Sequence, residues 1–119
     1  MSARPVLVVE DEPDAQEMIA SLLTFIDIDC DRASDGNEAL SLLEENNYHI
    51  AVIDIGLPNM DGLALIHAIR ETNTNLRCVA ISAFHSSRLK QDTLTAGFDV
   101  YLPKPIVQED FLKMIQQWL

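Results

Sequence analysis

The chain has 119 residues, 48% hydrophobic and 23% charged, the length and balance of one globular domain over 1–119 with a single core. Eight Lys and Arg face nineteen Asp and Glu, a formal net charge of −11 that argues against direct contact with nucleic acid, because a polyanion would be repelled. Cys30 and Cys78 have no CxxC spacing, and no stretch has the form of a signal peptide or the length of a membrane span, so reduced thiols, a cytoplasmic location and no membrane contact are expected.

Val6 to Val9 is a short apolar run, rich in β-branched residues and apolar on both faces, which predicts a buried strand. Ala15, Met18, Ile19, Leu22, Leu23 and Ile26 then recur at helical spacing, behind Pro13 and Asp14, which suit a first turn. Residues 28–33 alternate weakly and predict a poorer, more exposed strand. Ser34 or Asp35 can cap a second helix that runs through Leu43 and closes at Asn46 and Asn47. Residues 50–53 are a second fully apolar run. Pro58 and Gly62 bracket a turn, and Asp61 is placed to cap a helix carrying Leu63, Ile66 and Ile69. The fourth strand is predicted over 78–81, and Ser86 or Ser87 caps a fourth helix ending near Gly97. The fifth strand is predicted over 98–102. A last helix buries Phe111, Leu112, Ile115, Trp118 and Leu119.

Five βα units with apolar strands predict an α/β doubly wound sandwich, a parallel sheet with helices on both faces. Such a sheet places its chemistry beyond the carboxyl ends of the strands. Four of the five strands end in polar groups: Glu10 and Asp11 after the first, Asp54 after the third, Ser82 after the fourth, and Lys104 beyond the fifth. The second ends in nothing comparable, which suits an edge. Two carboxylates about 4 Å apart repel by roughly 4 kcal/mol at an effective dielectric near 20. Glu10, Asp11 and Asp54 would therefore raise a pKa or recruit a hard cation, most simply Mg²⁺, with Mn²⁺ as the alternative. Lys104 opposes the surplus acid, and its donors suit phosphate oxygens. Asp54, on the middle strand and followed by the glycine-bearing loop 55–62, is the best nucleophile for phosphoryl transfer.

The stretches VLVVEDEPD, AVIDIGLPNMDG, VAISA and AGFDVYLPKP, in this order and spacing, resemble the receiver domain of two-component response regulators of the chemotaxis-regulator type, from Val6 to Trp118. The resemblance implies a flavodoxin-like five-stranded sheet in the order 2-1-3-4-5. It implies that Asp54 is the phosphoacceptor, and that Asp11 and Asp54 ligate Mg²⁺ together with the Gly56 carbonyl. Glu10 would act through a metal-bound water. Ser82 and Lys104 would bond the phosphoryl group, and Tyr101 would follow Ser82 inward, switching the face of the fourth helix, fifth strand and fifth helix. Gly56 and Phe84 match the two positions that tune the lifetime of the phosphoryl group. The implied partners are a sensor histidine kinase or histidine phosphotransfer protein, plus a downstream protein. The domain would not be an enzyme beyond its own phosphorylation and dephosphorylation.

A flavodoxin-like cofactor binder of the same fold would need small or hydroxyl residues after the first strand, where Glu10, Asp11 and Glu12 would repel a phosphate. An aspartate-nucleophile phosphatase would place a second Asp two residues beyond the first, at the position of Gly56. An interaction module that is never phosphorylated is opposed by the joint presence of Asp54, Ser82 and Lys104. His49, His67 and His85 show no metal-ligand spacing and are expected to be structural or surface groups.

Overall fold

A computed structural model describes residues 5–57, 60–83 and 86–119. Five strands alternate with five helices in chain order: β1 Val6–Val9, α1 Pro13–Phe25, β2 Cys30–Ala33, α2 Gly36–Glu45, β3 Ile50–Asp54, α3 Gly62–Thr72, β4 Arg77–Ser82, α4 Ser87–Ala96, β5 Val100–Pro103 and α5 Gln108–Trp118. All strand pairs are parallel and lie in the order β2-β1-β3-β4-β5, as the resemblance implied. Among the described residues, no helix is long and apolar enough to cross a membrane.

The strand period of two sorts the core into layers. Leu7, Val9, Ala51, Ile53, Cys78 and Ala80 face α2, α3 and α4, where they meet Ala39, Leu65, Ile66 and Ile69. Val6, Val8, Ile50, Val52, Val79 and Ile81 face α1 and α5, against Ile19, Leu23, Phe111 and Ile115. Because β1, β3 and β4 are covered on both sides, they read as unbroken apolar runs. Each fully buried Leu, Ile or Val contributes about 1.5–3 kcal/mol relative to exposure.

Helix starts follow the predicted caps. Asp35, Asp61 and Ser86 accept from the backbone N–H groups of Glu38, Ala64 and Leu89 at 2.8, 2.8 and 2.9 Å. Glu12 does the same for Asp14 ahead of Pro13.

Strand boundaries depart from the sequence reading: β3 extends to Asp54, β4 spans Arg77–Ser82 and β5 ends at Pro103. β2 starts at Cys30 rather than Ile28, because the Ile28 N–H bonds back to Leu23 O and closes α1. β5 starts at Val100 rather than Phe98, because the Phe98 N–H turns back to Thr93 O behind α4. The second helix runs through Leu43 to Glu45 and closes at Asn46, as predicted. Leu119, predicted as part of the buried stripe of α5, is 48% exposed, since it lies beyond the last helical turn. Trp118 packs half-buried against the α1 and α5 side of the core, its ring 5.5 Å from the Arg77 guanidinium carbon.

Candidate functional site

Strand register brings the predicted residues together. Val9 pairs with Ile53, so Glu10 emerges beside Asp54. Asp54 pairs with Ile81, one residue before Ser82, and Ser82 pairs with Pro103, one residue before Lys104. The Lys104 backbone N–H donates to Ser82 O at 2.8 Å, which carries the ladder past the strand end, and the Lys104–Pro105 peptide is cis.

At this end of the sheet Lys104 bridges two carboxylates. Its Nζ donates to Asp54 Oδ2 at 2.9 Å and to Glu10 Oε1 at 2.9 Å. The Glu10 side chain is 1% exposed, and its second oxygen accepts from the Glu12 backbone N–H at 3.2 Å. The second oxygen of Asp54 accepts from the Gly56 N–H at 2.8 Å. Burial pushes the Glu10 carboxyl above the ordinary glutamate range; the bonds from Lys104 and Glu12 oppose this, and the charge of Asp54 adds to it. For Lys104, burial alone would lower the pKa, but the bonds and charges of Asp54 and Glu10 together hold it above the usual lysine value.

Asp11 is exposed at the mouth, and one carboxylate oxygen from each of Glu10, Asp11 and Asp54 lies within 4.8 Å of the others. This donor set is all oxygen and carries up to three negative charges against one lysine, so it can hold a hard divalent ion. Among the described residues, a Cβ built on Gly56 would meet only Asp54 Oδ1, at 3.4 Å, and Gly56 is exposed at the mouth beside Asp54.

The other predicted residues fall as follows. Ser82 is buried at the end of β4, and Tyr101 is half-buried on β5, opposite Ala80. Tyr101 lines a groove of about 280 Å³ with Ser86, Ser87, Lys90 and Pro103. Phe84, Pro58 and His85 lie outside the described residues. His49 and His67 are exposed. Both cysteines are free thiols, and burial pushes the Cys78 thiol up to about 12, which leaves it unreactive.

Sequence reasoning did not single out Gln16. Its side-chain amide donates to Glu10 O at 2.9 Å and to Ala33 O at 3.3 Å, stitching the ends of β1 and β2 beneath the site. Only its place on the first turns of α1, just past the acidic run, could have drawn attention to it.

A model of the response regulator receiver domain matches residues 6–116. The chain belongs to this family. Among its relatives, an uncharacterized 14.6 kDa protein of Leptolyngbya boryana is 33% identical over 115 residues, covering 95% of this chain and 88% of that one. Sensor histidine kinase RcsC of Escherichia coli strain K12 is 34% identical over 114 residues, 96% of this chain but only 12% of the kinase. The solved receiver domain of Francisella response regulator 1452 superposes with a TM-score of 0.90 at 34% identity, covering 95% and 93% of the two chains. Receivers are typically phosphoacceptor signalling modules rather than enzymes in their own right, and the acidic pocket of this receiver is consistent with that role.

Proposed function

We propose that this receiver accepts a phosphoryl group on Asp54 from the phosphohistidine of a sensor kinase or phosphotransfer protein, and that the acyl phosphate switches the face made by α4, β5 and α5. The observation that carries the reading is the bridge from Lys104 Nζ to both Asp54 and Glu10, which sets an ammonium beside a nearly buried carboxylate at the carboxyl end of the sheet.

In the transfer, an Asp54 carboxylate oxygen forms the new O–P bond while the P–N bond of the phosphoimidazole breaks, and the leaving imidazole takes up a proton. The Gly56 N–H fixes one Asp54 oxygen and so orients the carboxylate toward the mouth. Glu10, Asp11 and Asp54, with the Gly56 carbonyl, would hold Mg²⁺, which when bound neutralises charge on the transferring group. Lys104 can exchange its carboxylate partners for phosphoryl oxygens on its flexible stem. The Ser82 hydroxyl supplies a further donor, and Tyr101 fills the space that a moving β4–α4 connection leaves. An apolar hollow of about 340 Å³, lined by Met18, Ile19, Pro105 and Ile106 among others, adjoins Glu10 and Lys104 and gives a donor protein a surface to rest on. Moving a two-state element from 1:99 to 99:1 takes roughly 5.5 kcal/mol, which two or three charge-assisted contacts approach, so partial activation is expected.

The test is incubation with a small-molecule phosphodonor and Mg²⁺, wild type against Asp54→Asn, read by intact mass. A gain of about 80 Da in the wild type alone supports the reading. Equal labelling of both proteins, or of neither, refutes it.

A further inference from the structure

α4 is held very unequally at its two ends. Ser86, Ser87, Arg88, Lys90, Gln91 and Asp92 are all exposed, and Leu89 is half-buried. Thr93 is the one buried residue of the helix, and beyond it Leu94, Ala96, Gly97 and Phe98 are half-buried or buried, with Thr95 alone exposed among 94–98. Among the described residues, one side-chain cap holds the first turn, Ser86 Oγ accepting from Leu89 N–H at 2.9 Å. Arg88 meets Asp92 within the same helix at 3.8 Å, with both side chains exposed, a pair internal to α4.

The other end is clamped by a cation from a neighbouring helix. Arg70, on the last turn of α3 with its side chain 18% exposed, aims its guanidinium at the C-cap of α4. Its Nε and Nη2 both donate to Gly97 O, at 3.0 and 2.8 Å. Nη1 donates to Leu76 O at 2.6 Å and to Asn73 O at 3.2 Å. Nη2 also reaches Asp99 Oδ2 at 3.2 Å, the same oxygen that accepts from the Cys78 N–H at 2.8 Å. One planar fork thus ties the end of α3, the approach to β4, the end of α4 and the approach to β5, with a geometry that a lysine's single ammonium cannot reproduce. Gly97 has φ +130°, and a Cβ there would stand 3.2 Å from Arg70 Cγ, so the C-cap lies flat on the arginine stem.

We propose that Arg70 is the fulcrum of the switch. With Gly97 pinned and Ser86 lightly held, a pull on the β4–α4 connection swings the Ser86 end of α4 while the Gly97 end stays in place. The groove between α4 and β5, lined by Ser86, Ser87, Lys90, Tyr101 and Pro103, lies at the swinging end and changes width. Arg70 acts through Gly97 and touches none of the reacting groups; it is a positioning residue. This inference rests on Asp54 as phosphoacceptor only for what drives the swing.

The test is amide hydrogen exchange along α4 in the whole chain, with and without beryllofluoride plus Mg²⁺ as the phosphoryl mimic. Wild type is compared with Arg70→Met, which keeps the stem, and with Arg70→Lys, which keeps the charge. In the metal-free wild type, the amides of residues 94–99 should exchange about tenfold or more slowly than those of residues 90–92. Beryllofluoride should alter only the latter. In both variants residues 94–99 should lose protection and the response should spread along the helix, while the core strands β1 and β3 keep theirs and so report an intact fold. Uniform protection along wild-type α4, a wild-type response spread over its whole length, or variants indistinguishable from wild type would each overturn the fulcrum. A wild type with no response even in the loop after Asp54 would overturn the phosphoacceptor reading and the driven swing together. A response in that loop with uniform change along α4 would overturn the fulcrum alone.

Discussion

Lys104 does two opposed things, and substitution separates them. In the metal-free protein it is the counter-ion of Asp54 and Glu10, and among the described donors Lys104→Met leaves these two carboxylates the backbone N–H groups of Glu12 and Gly56. Breaking a buried ion pair costs about 3–5 kcal/mol, and the 29% exposure of Lys104 reduces this to roughly 2 kcal/mol. The Lys104 pKa is raised above its ordinary value of about 10.5, so its contribution is complete below that pH and is lost as pH rises through the folded-state value. The stability gap between wild type and variant should therefore be full at pH 7 and shrink on the alkaline side of 10.5. Removing a competing cation should also tighten Mg²⁺ several-fold. Denaturant unfolding with chelator present reads the first effect and calorimetric titration the second. A variant as stable as wild type at pH 7, or one that binds Mg²⁺ more weakly, would contradict this account. The sequence showed Lys104, Asp54, Glu10 and Ser82 because each follows a strand. Arg70 and Gln16 stayed hidden because their partners are mostly backbone carbonyls, which leave no mark in composition.

At the scale of elements, two glycines of one loop have opposite tolerances. The Gly62 N–H bonds Ile55 O at 3.1 Å as α3 begins, and a Cβ there would lie 2.4 Å from Ile55 Cα, a backbone atom that cannot step aside. Ile55 follows Asp54 directly, so any shift reaches Asp54. Among the described residues, a Cβ on Gly56 meets only Asp54 Oδ1, at 3.4 Å. Gly62→Ala should destabilise by about 1–3 kcal/mol and weaken Mg²⁺ binding, whereas Gly56→Ala should change stability by no more than about 0.5 kcal/mol. Equal denaturant midpoints for the two would be the contrary result. The elements themselves were largely legible. Continuous apolar runs marked β1, β3 and β4 because helices cover both faces, and Asp35, Asp61 and Ser86 announced their helices. What misled at β2 and β5 was Ile28 and Phe98: each is apolar and next to a strand, yet its N–H closes the preceding helix instead of joining the sheet. Apolar pattern reports burial, and only the hydrogen-bond partner separates a helix closure from a strand start.

At the scale of the whole molecule, charge and reporter lie at opposite ends. The carboxylates of Glu10, Asp11 and Asp54 cluster beyond the carboxyl ends of the strands. The one tryptophan packs against Arg77 at the start of β4. Five residue steps separate Arg77 from Ser82, about 17 Å of strand. Over that distance water and counter-ions screen most of a charge change at the mouth. Mg²⁺ binding should therefore leave the native emission of Trp118 unchanged while raising the Tm that this same emission reports. At ten times its Kd a ligand of the folded state adds roughly 1.4 kcal/mol, equivalent to about 5 °C for a domain of this size. Asp54→Asn should blunt the gain and raise the metal-free Tm, because one of the converging charges is gone. A shift in native emission that tracks Mg²⁺ would mean that the far end of the sheet senses the site directly. An unchanged Tm would mean that the acidic cluster holds no ion, and among the described residues Lys104 would then be the counter-charge for three carboxylates.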